Sequence, residues 1–120
     1  MFTLDLSPSY SWPVTLQLAA DGGEFQEFTF DVQLKRLEQD RIREILQPAE
    51  GKALTDEDAC RELVMGWSGI SDKKGADLPF SEAALAKLLK VHGAPGAIVK
   101  AWLDSINPEA KDTGKRRPRT

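Results

Sequence analysis

Apolar and polar residues alternate with period two through the first third of the chain. Phe2, Leu4 and Leu6 are separated by Thr3 and Asp5. Val14, Leu16 and Leu18 are separated by Thr15 and Gln17, and Phe28, Phe30 and Val32 by Thr29 and Asp31. Successive strand side chains point to opposite faces, so each run predicts a strand with one apolar face. Between the last two runs sits Asp21-Gly22-Gly23, which readily supplies the positive φ of a hairpin turn, with room for extra loop residues. A two-stranded hairpin is marginal alone, so its apolar face is expected to lie on the elements that follow.

From Leu34 the period becomes helical. Leu34, Leu37, Ile42, Ile45 and Leu46 form a stripe, Arg36 is spaced to meet Asp40, and Pro48 and Gly51 end the segment. The stretch LTDEDACRELVMGW (54–67) predicts a second helix. Thr55 is its N-cap, Asp56, Glu57 and Asp58 complement the dipole in the first turn, and Ala59, Cys60, Leu63, Val64 and Trp67 make the apolar face. Ser81 caps a third helix with Leu85, Leu88 and Leu89 inward and Gly93 as its stop. Pro95 fits the first position of a fourth, lined by Ile98, Val99, Trp102, Leu103 and Ile106 and closed by Pro108. No internal repeat interrupts this order. The expectation is one α+β domain over residues 1–106. An N-terminal β-hairpin or small antiparallel meander (about 2–33) precedes about four α-helices (about 34–106), and residues 107–120 form a disordered basic tail.

A length of 120 residues with 41% hydrophobic side chains suits one core. No apolar run approaches the ~18 residues of a membrane span, and the start MFTLDLSPSY lacks the basic and apolar regions of a signal peptide. One cysteine, Cys60, excludes an internal disulfide and suits a reducing cytosol. The net charge of −3 hides an asymmetry: residues 1–106 carry 11 basic and 17 acidic side chains, and residues 107–120 carry 5 and 2. An acidic body argues against specific nucleic-acid binding, because phosphate affinity needs clustered Lys and Arg. The tail motif KRRPR resembles an import or nucleic-acid patch, but a solvated chain end explains it more simply.

Candidate chemistry is sparse. In SDKKGAD (71–77), Asp72 and Asp77 suggest a calcium loop, yet Lys73 and Lys74 stand where a cation would be repelled, and the alternating oxygen ligands are missing. The segment also lacks the glycine and Lys-Ser/Thr spacing of a phosphate loop. It reads as an elbow with Gly75 at positive φ, folding the helix of Trp67 back onto the helix begun by Ser81, with Leu78-Pro79-Phe80 extended. His92 has no second histidine for zinc and no nucleophile in motif. Cys60, on an apolar helix face, reads as a small buried hydrophobe. The acidic TDEDA run is explained by its helix start. No catalytic residue, metal site or cofactor site is nominated. The aromatic residues point instead to a partner surface, for which Trp67, Ile70, Leu78, Phe80 and Trp102 are the candidates.

Several motifs in order carry a family likeness: Trp12-Pro13-Val14, the Asp21-Gly22-Gly23 turn, F-x-V-x-L-K-R-L at Phe30–Leu37, GWSGI at Gly66–Ile70, GADLPFS at Gly75–Ser81, and the leucine-rich helix after it. Over residues 10–105 the chain resembles the tail assembly chaperone family of long-tailed bacteriophages and prophages. The resemblance implies a non-enzymatic protein of the host bacterial cytoplasm, absent from the mature virion. It would bind the tape-measure protein, keep it soluble and help bring tail-tube protein to it. One small domain offers one short groove for an amphipathic client helix, so self-association is expected as well. Two readings from other classes compete: a structural virion component for tail completion or head–tail joining, and a small helix-turn-helix DNA-binding regulator.

Overall fold

The computed structural model describes residues 2–108. The disordered-tail expectation falls mainly on residues 109–120, outside the described residues. The fold is α+β. β1 (Ser9–Ala19) and β2 (Phe25–Lys35) form a long antiparallel hairpin, joined through a short 3-10 turn at Asp21–Gly23. Gly22 and Gly23 have φ of 81° and 80° there, a region in which a side chain would be strained. Helices α1 (Gln39–Leu46) and α2 (Asp56–Leu63) follow. The chain then returns as β3 (Val64–Ser68) on the outer side of β2, and α3 (Glu82–Leu89) and α4 (Ala94–Ile106) complete the order.

The hairpin register explains the core. Val14 lies opposite Phe30, Trp12 opposite Val32 and Tyr10 opposite Leu34, so the apolar phases of the two strands share one face. The helices pack on that face. Val14, Phe30, Val32 and Leu34 are buried together with Cys60, Leu63, Leu85, Leu89, Ile98 and Trp102. The opposite face carries Thr15 against Thr29 and Gln17 against Glu27, and it stays in water. The expected caps are present. Thr55 Oγ1 accepts from the Asp58 N–H (3.0 Å) and Ser81 Oγ from the Ala84 N–H (3.0 Å).

Several sequence-based expectations are corrected. Phe2, Leu4 and Leu6 form no strand, because β2 ends at Lys35 and nothing continues the ladder beside them. Leu34 belongs to β2 rather than to a helix: it completes the alternation Phe28, Phe30, Val32, Leu34 and is fully buried. Arg36 therefore precedes α1 and misses Asp40; its Nε donates to the Ser7 carbonyl (3.1 Å) and its guanidinium lies 4.8 Å over the Tyr10 ring. Leu46 and Leu103, placed on the apolar core-facing sides of their helices, are exposed. Helix α3 ends at Leu89, and Gly93, at φ 86°, sits just before α4, with Pro95 at the second helical position.

The largest correction is β3. Val64 and Trp67 are three apart, the spacing of a helix face. In the structure Val64 faces Leu34 and Trp67 faces Val32, with a register shift between Gln33 and Leu34. An extra residue on the β3 side lets two positions of opposite parity meet neighbouring residues of β2. The elbow at 71–77 consequently joins a strand to α3, rather than two helices.

Candidate functional site

The partner candidates fall into two groups. Trp67, on β3, and Phe80, just before α3, meet edge to face with centroids 5.0 Å apart at 82°. Trp67 Nε1 donates to the Leu78 carbonyl (2.8 Å), and the Leu78 N–H donates to the Ile70 carbonyl (2.8 Å). A small hairpin, bridged at Ser71 and Asp77, thus brings Trp67, Ile70, Leu78 and Phe80 together, each half-buried. Its tip is organised by Asp72. One carboxylate oxygen accepts from the N–H groups of Lys74 (2.8 Å) and Ala76 (3.1 Å), and Gly75 has φ 84°. That oxygen is committed to the turn.

Trp102 does not join this cluster. It is 1% exposed and belongs to the core. The reason is its place on α4 beneath Tyr10 and Trp12: Ser105 Oγ donates to the Trp102 carbonyl (2.6 Å) and so accepts from Tyr10 Oη (2.6 Å). Trp102 lies at the base of a groove of about 420 Å³ that Tyr10, Trp12, Leu37, Ile42 and Ile106 also line.

A second groove, of about 290 Å³, lies on the inner sheet face at the hairpin-turn end. Leu16 and Leu18 come from β1, Phe28 and Phe30 from β2, Ile70 from the small hairpin, and Leu88 and Val91 from α3 and the turn after it. Phe28 is 42% exposed although its side chain lies on the face that is core elsewhere. Here the hairpin runs on past the helices that cover it. Ile70 is the one predicted partner residue that lines this groove. Leu18, Phe28, Leu88 and Val91 were absent from the predicted set. Their alternation and helical spacing are in the sequence, but nothing local says which apolar positions lack a neighbour.

The electrostatics are structural. Arg41 of α1 meets Glu62 of α2 in a two-pronged ion pair, Nη2 to Oε1 at 2.5 Å and Nε to Oε2 at 2.7 Å. The hydrogen bonds from Arg41 hold the Glu62 carboxyl below the usual carboxylate range, and Arg41 is correspondingly raised, chiefly by Glu62 and then by Glu44. Cys60 is buried; burial first, then Asp56 and Glu57, pushes its thiol up to about 12. Such a thiol is a poor nucleophile at neutral pH. Among the described residues no three His, Cys, Asp or Glu side chains gather as a metal-holding group, and no helix is long and apolar enough to cross a membrane. The first groove mixes apolar surface with the polar side chains of Ser11, Arg36 and Ser105, whereas the second is apolar apart from Ser71 and is suited to apolar side chains of another polypeptide. Comparison with protein-family models, with curated proteins and with solved structures returns no match.

Proposed function

We propose that this chain is a phage tail assembly chaperone that holds apolar stretches of the tape-measure protein in solution until the tail tube forms. The observation that carries the reading is the groove of Leu16, Leu18, Phe28, Phe30, Ile70, Leu88 and Val91, an uncovered continuation of the core face. An amphipathic helix presents anchors at i, i+3, i+4 and i+7, and a groove of about 290 Å³ takes two or three of them. A long helical client displays many such sets, so several copies of a small domain coat it. The acidic body, 17 carboxylates against 11 basic groups over residues 1–106, keeps coated client soluble through mutual repulsion. The sequence resemblance supplies the client's identity, and the groove supplies the means. In this role the chain works in the host cytoplasm and leaves before the virion matures.

Co-expression of a tape-measure fragment with this chain tests the proposal. Soluble client is expected to rise several-fold with the intact chain and to fall back with Phe28→Glu. No gain with the intact chain would remove the chaperone role. Recovery of the chain from purified virions would instead favour a structural tail component.

A further inference from the structure

The segment before β1 and the free edge of β1 belong together. The even-numbered positions Phe2, Leu4, Leu6, Tyr10, Trp12, Val14, Leu16 and Leu18 keep a single alternating phase, broken only at Pro8. Residues 2–7 are thus written as a continuation of β1, yet no sheet receives them. The last ladder bond runs from the Arg36 N–H to the Pro8 carbonyl (2.9 Å), after which the chain leaves for α1. Phe2, Leu4 and Leu6 are left 74%, 85% and 50% exposed.

β1 is an outer strand of the sheet. Bonds from the Ala20 N–H to the Glu24 carbonyl and from the Arg36 N–H to the Pro8 carbonyl set the even residues of β1 bonding toward β2. Alternation then turns the odd residues to the open edge. Pro13, which has no N–H, occupies one of those outward positions, and Thr15 and Gln17 offer both donor and acceptor there. Beneath this edge a groove of about 510 Å³ runs between β1 and α4. Gly93, Gly96, Ala97 and Ala101 line its helix side together with the Lys100–Asp104 ion pair, and the small residues leave room for large side chains arriving from an added strand.

We propose that residues 2–7 of one molecule add as an antiparallel strand to the β1 edge of a second copy, reciprocally about a two-fold axis. Phe2, Leu4 and Leu6 enter the groove along α4, while Thr3 and Asp5 join Thr15 and Gln17 on the polar face. Folding back onto its own molecule does not serve the arm: a tight two-residue reversal at Ser7-Pro8 sets Leu6 opposite Ser9, Leu4 opposite Ser11 and Phe2 opposite Pro13, which turns the three apolar side chains to the polar face of β1 and brings only Phe2 to the groove, at its Pro13 end. The area suffices for a stable pair. A phenylalanine hides roughly 200 Å² and a leucine on the order of 100 Å²; the exposed fractions of Phe2, Leu4 and Leu6 leave about 280 Å² per arm, so two exchanged arms with their grooves bury about 1,100 Å², above the ~1,000 Å² that a biological interface needs.

Sedimentation velocity on the full chain, diluted from about 200 to about 5 μM, tests this directly. A dimer is expected, with dissociation raised at least about tenfold by Leu4→Asp in the exposed arm and by Thr15→Pro at the outward edge position, far-UV circular dichroism unchanged. Leu4→Asp alters no packed residue, so its result stands even if Thr15→Pro disturbs folding. A chain that stays monomeric throughout overturns the proposal and leaves the edge to a client segment. A dimer that Leu4→Asp leaves intact overturns it too, and places the contact elsewhere.

Discussion

At the scale of single residues, burial separates side chains that look alike in sequence. Trp67 and Trp102 were grouped as partner candidates, but only Trp102 is enclosed. Trp102→Ala is expected to cost about 3–5 kcal/mol, the range for emptying a large core site. Trp67→Phe keeps most of the contact with Phe80 and loses the bond to the Leu78 carbonyl, for a cost of about 1 kcal/mol. Urea unfolding of both variants checks the order. Cys60 gives a pH prediction. Its thiol, pushed up to about 12, stays protonated in the folded chain, whereas in the unfolded chain it ionises near its ordinary value of 9.0. The folded state therefore holds the proton longer, and this contribution, complete below pH 9, is lost as pH rises toward 12. The slope reaches at most about 1.4 kcal/mol per pH unit. Cys60→Ala should flatten the fall in stability between pH 9 and 11 relative to the parent. A thiol reagent at pH 8 should leave the folded parent unreacted and modify it only after denaturant is added.

At the scale of elements, the hairpin and α1 are opposites. The hairpin is fixed by alternating faces, cross-strand partners and two glycines at its turn. Helix α1 buries no residue and leans on the core through half-buried Ile42 and Ile45, with Arg41–Glu62 tying it to α2. Glu62→Gln should leave global stability within about 1 kcal/mol, because a partly exposed ion pair contributes little. It should nevertheless speed amide exchange through Gln39–Leu46 by releasing the tie, and hydrogen exchange read peptide by peptide decides this. Lowering the pH through the depressed Glu62 value should have the same local effect in the parent, because the carboxylate's contribution is lost as it protonates. The boundaries of these elements were only partly legible. Thr55 and Ser81 announced their helices, since a cap is a local event. Val64–Ser68 did not announce a strand, because a residue shift in register lets a strand imitate the three-residue spacing of a helix.

For the whole molecule, one face of the sheet is core along most of its length and open at its turn end. Substituting Phe28 there should separate binding from folding. Phe28→Glu is expected to shift Tm by no more than a few degrees while abolishing capture of an amphipathic client, checked by thermal denaturation beside a pull-down. The candidate site was legible only in fragments. Ile70 was nominated and lines the groove, while Leu18 and Phe28 were correctly assigned to an apolar face without any sign that the face would lack cover.

The sequence by itself determined the α+β class, the glycine turn, the two helix caps, the buried thiol and the shared phase of the apolar positions in both hairpin strands. Each follows from backbone geometry over a few neighbouring residues. Only the tertiary structure decided that 64–68 is a strand, that Trp102 is enclosed, that residues 2–7 stand without a sheet and that Phe28 reaches solvent. Those outcomes depend on which distant element arrives to cover a face, and local periodicity gives a face its character without supplying its neighbour.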